Sequence, residues 1–185
     1  MDATMDGKKR LIDGNAMFRK SIDPGFLARL SNKQEPFIAV LSCSDSRVSP
    51  IKIFNLSLGE AFVVCVVGNS ASDQSVLGSL EYAVDHLHVK YLLVLGHSGC
   101  GAVRAMVEGD FLPNLRPVMR DLERARFKTP TEHNSDDDFI AENNVRLQLR
   151  SIQDNSTIIS RAVAEDRLVM LGAMYDLATG AVRFI

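Results

Sequence analysis

Cysteine is scarce in this 185-residue sequence, and the three thiols present form an odd set without secretory context, which argues against a disulfide framework. Long apolar runs are missing too: none approaches the roughly 20 residues of a membrane helix. Residues 1–10 are polar rather than a charged stub leading into an apolar stretch, so a cytoplasmic protein is expected. Nor does one sign of charge prevail. With 21 Lys and Arg against 23 Asp and Glu the net charge is −2, and the charges are intermixed, so neither nucleic acid nor a membrane surface is expected as a partner. Repeats and low-complexity segments are absent as well. A chain of this length with 46% apolar residues can enclose one sizeable core and is short for two, so a single domain with a small partner is the starting expectation.

What is present reads as an α/β fold. The runs 37–41, 61–67, 91–95 and 168–171 are rich in Val, Ile and Leu and almost uninterrupted, as strands covered on both faces are, and predict a central, mostly parallel sheet with flanking helices. Between the second and third runs, Val76, Leu77, Leu80, Ala83, Val84 and Leu87 recur at helical spacing, making a crossover helix and a βαβ unit. Near the end, Ala178-Thr179-Gly180 separates two short apolar segments and predicts a turn into an antiparallel edge strand, an edge available to an oligomer. The more polar stretch 108–138, with Pro113, Pro117, Pro130 and three consecutive aspartates, reads as a loop, a short helix over 118–127 and a second loop. Helical patterns resume from Phe139 through Val145, Leu147, Leu149 and Ile152, and again over 158–164.

Two segments carry chemistry. Cys43-Ser44-Asp45-Ser46-Arg47 follows the first predicted strand directly, and Gly96-His97-Ser98-Gly99-Cys100-Gly101 follows the third. Open α/β sheets place ligands at these carboxyl ends of strands, and small residues let the backbone turn tightly there. Thiolate sulfur and imidazole nitrogen suit zinc, and three protein ligands leave a fourth tetrahedral position open, as catalytic sites do. Cys43, His97 and Cys100 supply such a set, although the spacing alone also fits buried, inert thiols. Asp45 and Arg47, two residues apart, can form a bidentate carboxylate–guanidinium pair. Such a pair could hold Asp45 ionised as a proton acceptor beside a metal, or could simply stabilise a loop.

At these residues the chain resembles the β-class carbonic anhydrases, whose two metal-binding signatures look like C-S-D-S-R-V at 43–48 and G-H-S-G-C-G-A-V at 96–103. The likeness extends to segments at 60–64, 81–84, 142–145 and 175–180 and covers nearly everything from Gly14 onwards. It implies one zinc ion per chain on Cys43, His97 and Cys100, with Asp45 and Arg47 as a catalytic dyad. The implied reaction is reversible hydration of carbon dioxide to bicarbonate and a proton through zinc-bound hydroxide, which makes the protein a lyase. In plant-like members a glutamine before the first signature contacts substrate, and Gln34 has that spacing. Phe62, Val67 and Tyr82 match residues of a small apolar carbon dioxide pocket, and the backbone at Gly101 matches a bicarbonate-orienting position. A closed state with Asp45 on zinc, and an activity favouring alkaline conditions because two thiolates offset the metal's charge, are further implications. The expected organisation is one domain over 1–185, with residues 1–30 as an N-terminal helical arm, assembled as a homodimer or as a tetramer or larger built from it.

One position departs from the pattern. The family usually has an arginine in R-x-x-G-N, where this chain reads Cys65-Val66-Val67-Gly68-Asn69, and Val40 stands where some members have a tryptophan. The resemblance ties those two residues to a regulatory bicarbonate site, so that site is not expected here. Rival readings are hydrolysis of carbonyl sulfide or carbon disulfide, a non-catalytic zinc or bicarbonate sensor, and a Cys43/Cys100 redox pair. The last leaves His97, Asp45 and Arg47 without a role. His86, His88 and His133 read as surface or helix-end residues, and Arg116, Arg120 and Arg124 as a solvated helix face. Ser98 falls in a near-match to a hydrolase elbow that Cys100 breaks.

Overall fold

In the computed structural model, residues 6–110 and 112–185 are described, and the chain divides into two compact units, one ending at Gln34 and the other running Glu35–Ile185. The first contains α1 (Gly7–Ser21) and α2 (Pro24–Leu30). Asp6 starts α1 by accepting from the Lys8 N–H, and Asp23 starts α2 by accepting from Gly25 and Phe26, with Pro24 at a position where its missing N–H costs nothing.

The second unit is built on five strands: β1 (Ile38–Ser42), β2 (Ala61–Cys65), β3 (Tyr91–His97), β4 (Val169–Tyr175) and β5 (Val182–Phe184), in the order β2-β1-β3-β4-β5. The first four are parallel, and β5 runs antiparallel to β4 across the turn that contains Ala178-Thr179-Gly180. This is the α/β architecture expected from the apolar runs. Helices α3 (Pro50–Ile53), α4 (Gln74–Asp85), α5 (Gly101–Glu108), α6 (Arg116–Phe127), α7 (Asp137–Asn155) and α8 (Thr157–Ala164) complete it. None of the helices among the described residues is long and apolar enough to cross a membrane.

Because side chains alternate along a strand, β1 sends Ala39 and Leu41 to one face and Ile38 and Val40 to the other. The first pair joins the main core, with Leu80, Val84, Met119, Leu122, Val145, Ile152 and Ile159 from the helices. The second joins a smaller cluster with Val48, Leu93, Leu95 and Ala173, packed against Ile53, Phe54 and Leu56. β1 is buried throughout and β3 everywhere but Tyr91, whereas β2 is only half-buried because it forms an edge of the sheet.

β1 and β3 are neighbours, with Ser42 paired to Leu95, so the chain leaves both at one end of the sheet. α7 packs on β3 closely enough that Gly96 has no room for a side chain: a Cβ there would lie 2.6 Å from Val145 Cγ2 and 2.7 Å from Met174 Sδ. That approach seats β3 just before His97.

Candidate metal centre

Cys43 is the first residue beyond β1, His97 is the last residue of β3, and Cys100 caps the N-terminus of α5. All three are buried, at 5%, 1% and 2% exposure. Their ligand atoms lie within 4.8 Å of one another, the one such group of His, Cys, Asp and Glu among the described residues. No disulfide forms, and Cys43, Cys65 and Cys100 are all free thiols.

The donor chemistry fits a zinc ion. His97 Nδ1 lies 2.9 Å from the Ser98 carbonyl oxygen; since a carbonyl only accepts, Nδ1 must donate, leaving the Nε2 lone pair free. Nε2 is buried and has no hydrogen-bond partner, an uncommon state for a polar atom and the one expected of a metal ligand. The Cys43 thiol is drawn well below the ordinary range, chiefly by the Cys100 thiol, against the effect of burial, with help from His97 and from the N–H groups of Gly68 and Asp45. Cys100 is pushed the opposite way by Cys43 and by burial, although the N–H groups of Ala102 and Val103 at the start of α5 favour its thiolate. Two adjacent thiols cannot both ionise freely without a cation between them, and a divalent ion removes that conflict. Burial pulls the His97 imidazole down, but Cys43, the Ser98 carbonyl and Asp45 outweigh it and leave the group raised.

Beside the cluster, Asp45 and Arg47 form the bidentate pair. Arg47 Nε donates to Asp45 Oδ1 at 2.9 Å and Nη2 to Oδ2 at 2.7 Å, while the Arg47 backbone N–H also reaches Oδ1 at 2.9 Å. The carboxylate side chain is 15% exposed and the guanidinium side chain 59%. The Arg47 side chain holds the Asp45 carboxyl well below the usual carboxylate range.

The other residues singled out in the sequence are spread more widely. Gly101 opens α5 next to Cys100, and a Cβ there would meet nothing within 4 Å. Val67 begins the short turn Val67–Asn69 and packs on the main core. Phe62 does not approach the cluster of its own chain: it pairs with Ala39, four positions before Cys43 and so about 13 Å back along the strand. Tyr82 is beside Phe62, with ring centroids 6.2 Å apart, and is 43% exposed. Gln34 closes the first unit. Val40 is fully buried and Cys65 is exposed at the end of β2.

His86 stacks on Tyr82 and His133 on Phe139. Ser98 Oγ accepts from the Leu177 N–H at 3.0 Å, a bond that ties the turn after β3 to the one after β4.

Three residues on α7 that sequence reasoning passed over also reach the turns of the site. Asp138 accepts from the Gly99 N–H at 2.8 Å, inside the loop joining His97 to Cys100. Asn144 and Gln148 contact the turn after β2. Their signal was available: two amides four residues apart on the apolar stripe formed by Ile140, Val145 and Ile152.

A sequence profile for the family described as carbonic anhydrase matches residues 38–182. The carbonic anhydrase of Mycolicibacterium smegmatis is 34% identical over 186 residues, spanning 94% of this chain and 89% of its own. The crystal structure of the β-carbonic anhydrase CafA of Aspergillus fumigatus gives a TM-score of 0.87 at 27% identity, covering 97% of this chain and 91% of that one. A tetrameric β-carbonic anhydrase of Sordaria macrospora gives 0.85 at 26% identity, covering 100% and 98%.

Proposed function

Since the chain belongs to the β-carbonic anhydrase family, we propose that it catalyses the reversible hydration of carbon dioxide to bicarbonate and a proton at a zinc ion held by Cys43, His97 and Cys100. The observation that carries this reading is the convergence of three buried donors within 4.8 Å, one of them an imidazole nitrogen with no other partner. Zinc, when bound, supplies the Lewis acidity that makes water a nucleophile near neutral pH.

The chain's own residues do the rest. Asp45, kept ionised by the Arg47 fork, presents an acceptor oxygen for a proton beside the cluster, and the same fork restrains that carboxylate from turning toward the ligands. The backbone at Gly101, where an added Cβ would meet nothing within 4 Å, leaves an anion such as bicarbonate room next to Cys100. Val67, packed on the main core, is assigned to the small apolar carbon dioxide pocket. We assign Gln34 a substrate contact on its resemblance to the glutamine that plant-like members of the family carry before the first signature.

Phe62 and Tyr82 lie along the β2 edge, away from their own chain's cluster, so we assign them to the carbon dioxide pocket of a second copy across that edge. The assembly is accordingly a homodimer or a multiple of one, a reading supported by the tetrameric Sordaria relative. Three free thiols in one chain suit the reducing cytoplasm.

Stopped-flow carbon dioxide hydration with zinc-loaded protein at alkaline pH tests the activity, with Cys100→Ser as the control. Fast turnover in the parent and loss of both zinc and turnover in the variant are expected. A parent holding one zinc per chain with no turnover at any pH would refute it.

A further inference from the structure

We infer that Asn144, backed by Gln148 and Asp121, is a positioning residue for the metal centre, locking the segment that straps Cys43 in place. The inference rests on the zinc reading above and extends it to groups that touch neither ligand nor substrate.

The strap is backbone. Val66 N–H donates to the Ser42 carbonyl at 3.1 Å and the Val66 carbonyl accepts from the Ser44 N–H at 3.2 Å, so one residue grips the chain on both sides of Cys43. Immediately after it the chain turns through Gly68, at φ 66° and ψ 20°, and Asn69, at φ 44°. Glycine is required at the first of these: a Cβ on Gly68 would add left-handed strain and lie 3.1 Å from Val118 Cγ1. The Gly68 N–H faces the Cys43 sulfur.

This turn is held by side chains from the far side of the core. Asn144 Nδ2 donates to the Gly68 carbonyl at 2.9 Å, and Gln148 Oε1 accepts from the Ala71 N–H at 2.9 Å. Gln148 Nε2 in turn donates to Asn144 Oδ1 at 3.0 Å and to Asp121 Oδ2 at 3.1 Å, where Ser70 Oγ also donates at 2.6 Å. Asn144, Gln148, Asp121 and Ser70 are 1%, 0%, 6% and 2% exposed. A buried network of this kind is rigid while every member is satisfied, and losing one donor leaves others unpaired in the core. Removing the Asn144 amide frees the Gly68 carbonyl, lets the turn rotate, and slackens the strap on Cys43. Partners of this kind around a metal typically change its affinity about 10–100-fold.

Asn144→Leu, similar in size but without the donor, tests the inference in zinc and cobalt forms against Ile152→Ala, a deeper cut on the same helix at a residue outside this network. The expected result for Asn144→Leu is zinc loss to a chelator at least about tenfold faster and a shifted thiolate-to-cobalt absorption band. Ile152→Ala should lower Tm at least as much and move neither. If Asn144→Leu does not fold, Gln148→Met carries the same expectation. Matching chelation rates and spectra in the variant and the control would overturn the inference while leaving the zinc reading intact. A parent protein that takes up neither metal would overturn the zinc reading and this inference with it.

Discussion

Replacing Arg47 by alanine should separate catalysis from stability. In the parent, Asp45 Oδ2 is held by the guanidinium at 2.7 Å, and Oδ1 by Nε and the backbone N–H at 2.9 Å each. The variant keeps only the backbone bond, so the carboxylate stays tethered by Oδ1 while Oδ2 becomes free to turn toward the ligand cluster. Because the guanidinium is mostly in solvent, the pair adds little to folding, and for a chain of this size Tm should change by no more than roughly 4 °C. Positioned proton transfer is worth about 100-fold or more, so kcat/KM for hydration should fall at least that far while zinc content stays near one per chain. Arg47→Lys should rescue little, since an ammonium cannot reproduce the two-pronged geometry. Stopped-flow hydration, metal analysis and thermal melts on the same samples decide the matter. Activity within threefold of the parent, with zinc retained, would show that the pair only stabilises a loop.

Two further outcomes follow from the geometry. Gly96→Ala forces a methyl to within 2.6 Å of Val145 and 2.7 Å of Met174, overpacking worth about 1–3 kcal/mol; Tm should drop by roughly 2–12 °C, and an unchanged melt would mean that α7 is not seated as described. The Asp45 carboxyl, depressed in the fold chiefly by Arg47, contributes stability that is complete above its unfolded pKa near 3.9 and lost as pH falls through its lower folded value. The Tm difference between the parent and Arg47→Ala should therefore be constant from pH 8 to about pH 5 and shrink below about pH 4. A difference that changes between pH 6 and 8 would point to another group, and any decline of activity over that range cannot be assigned to protonation of Asp45.

The parallel sheet was legible because β1 and β3 are covered on both faces and must be written in nearly unbroken Val, Leu and Ile. β2 carried the same composition but sits at an edge, so its half-exposed state could not be read from its residues; what neighbours it is a property of the topology. The expected run through Val67 overshot because the ladder ends at Cys65 and a left-handed turn begins at Gly68. α5 was hidden inside a glycine-rich signature, where Gly101 gives no helical cue and the N-cap residue Cys100 makes no side-chain capping bond. The cluster Cys43, His97 and Cys100 was traceable because each lies at or just beyond the end of a strand. Asn144 and Gln148 left only a partial signal: two amides four residues apart on an apolar stripe mark a buried polar pair, but the turn they hold is a partner that only the three-dimensional fold supplies.

The pairing of β1 with β3 also gives the cluster a part in proofreading the fold. Sliding β1 by one residue along β3 would move Cys43 about 3.3 Å and turn its side chain to the opposite face of the sheet, away from His97 and Cys100, which are carried by β3 and the turn after it. A mispaired chain could still bury much of its Val and Leu, since both faces of β1 are apolar. It could not present three donors to one ion. Metal binding thus adds its free energy to one strand register alone, widening the gap between the native sheet and a near neighbour that hydrophobic burial distinguishes poorly.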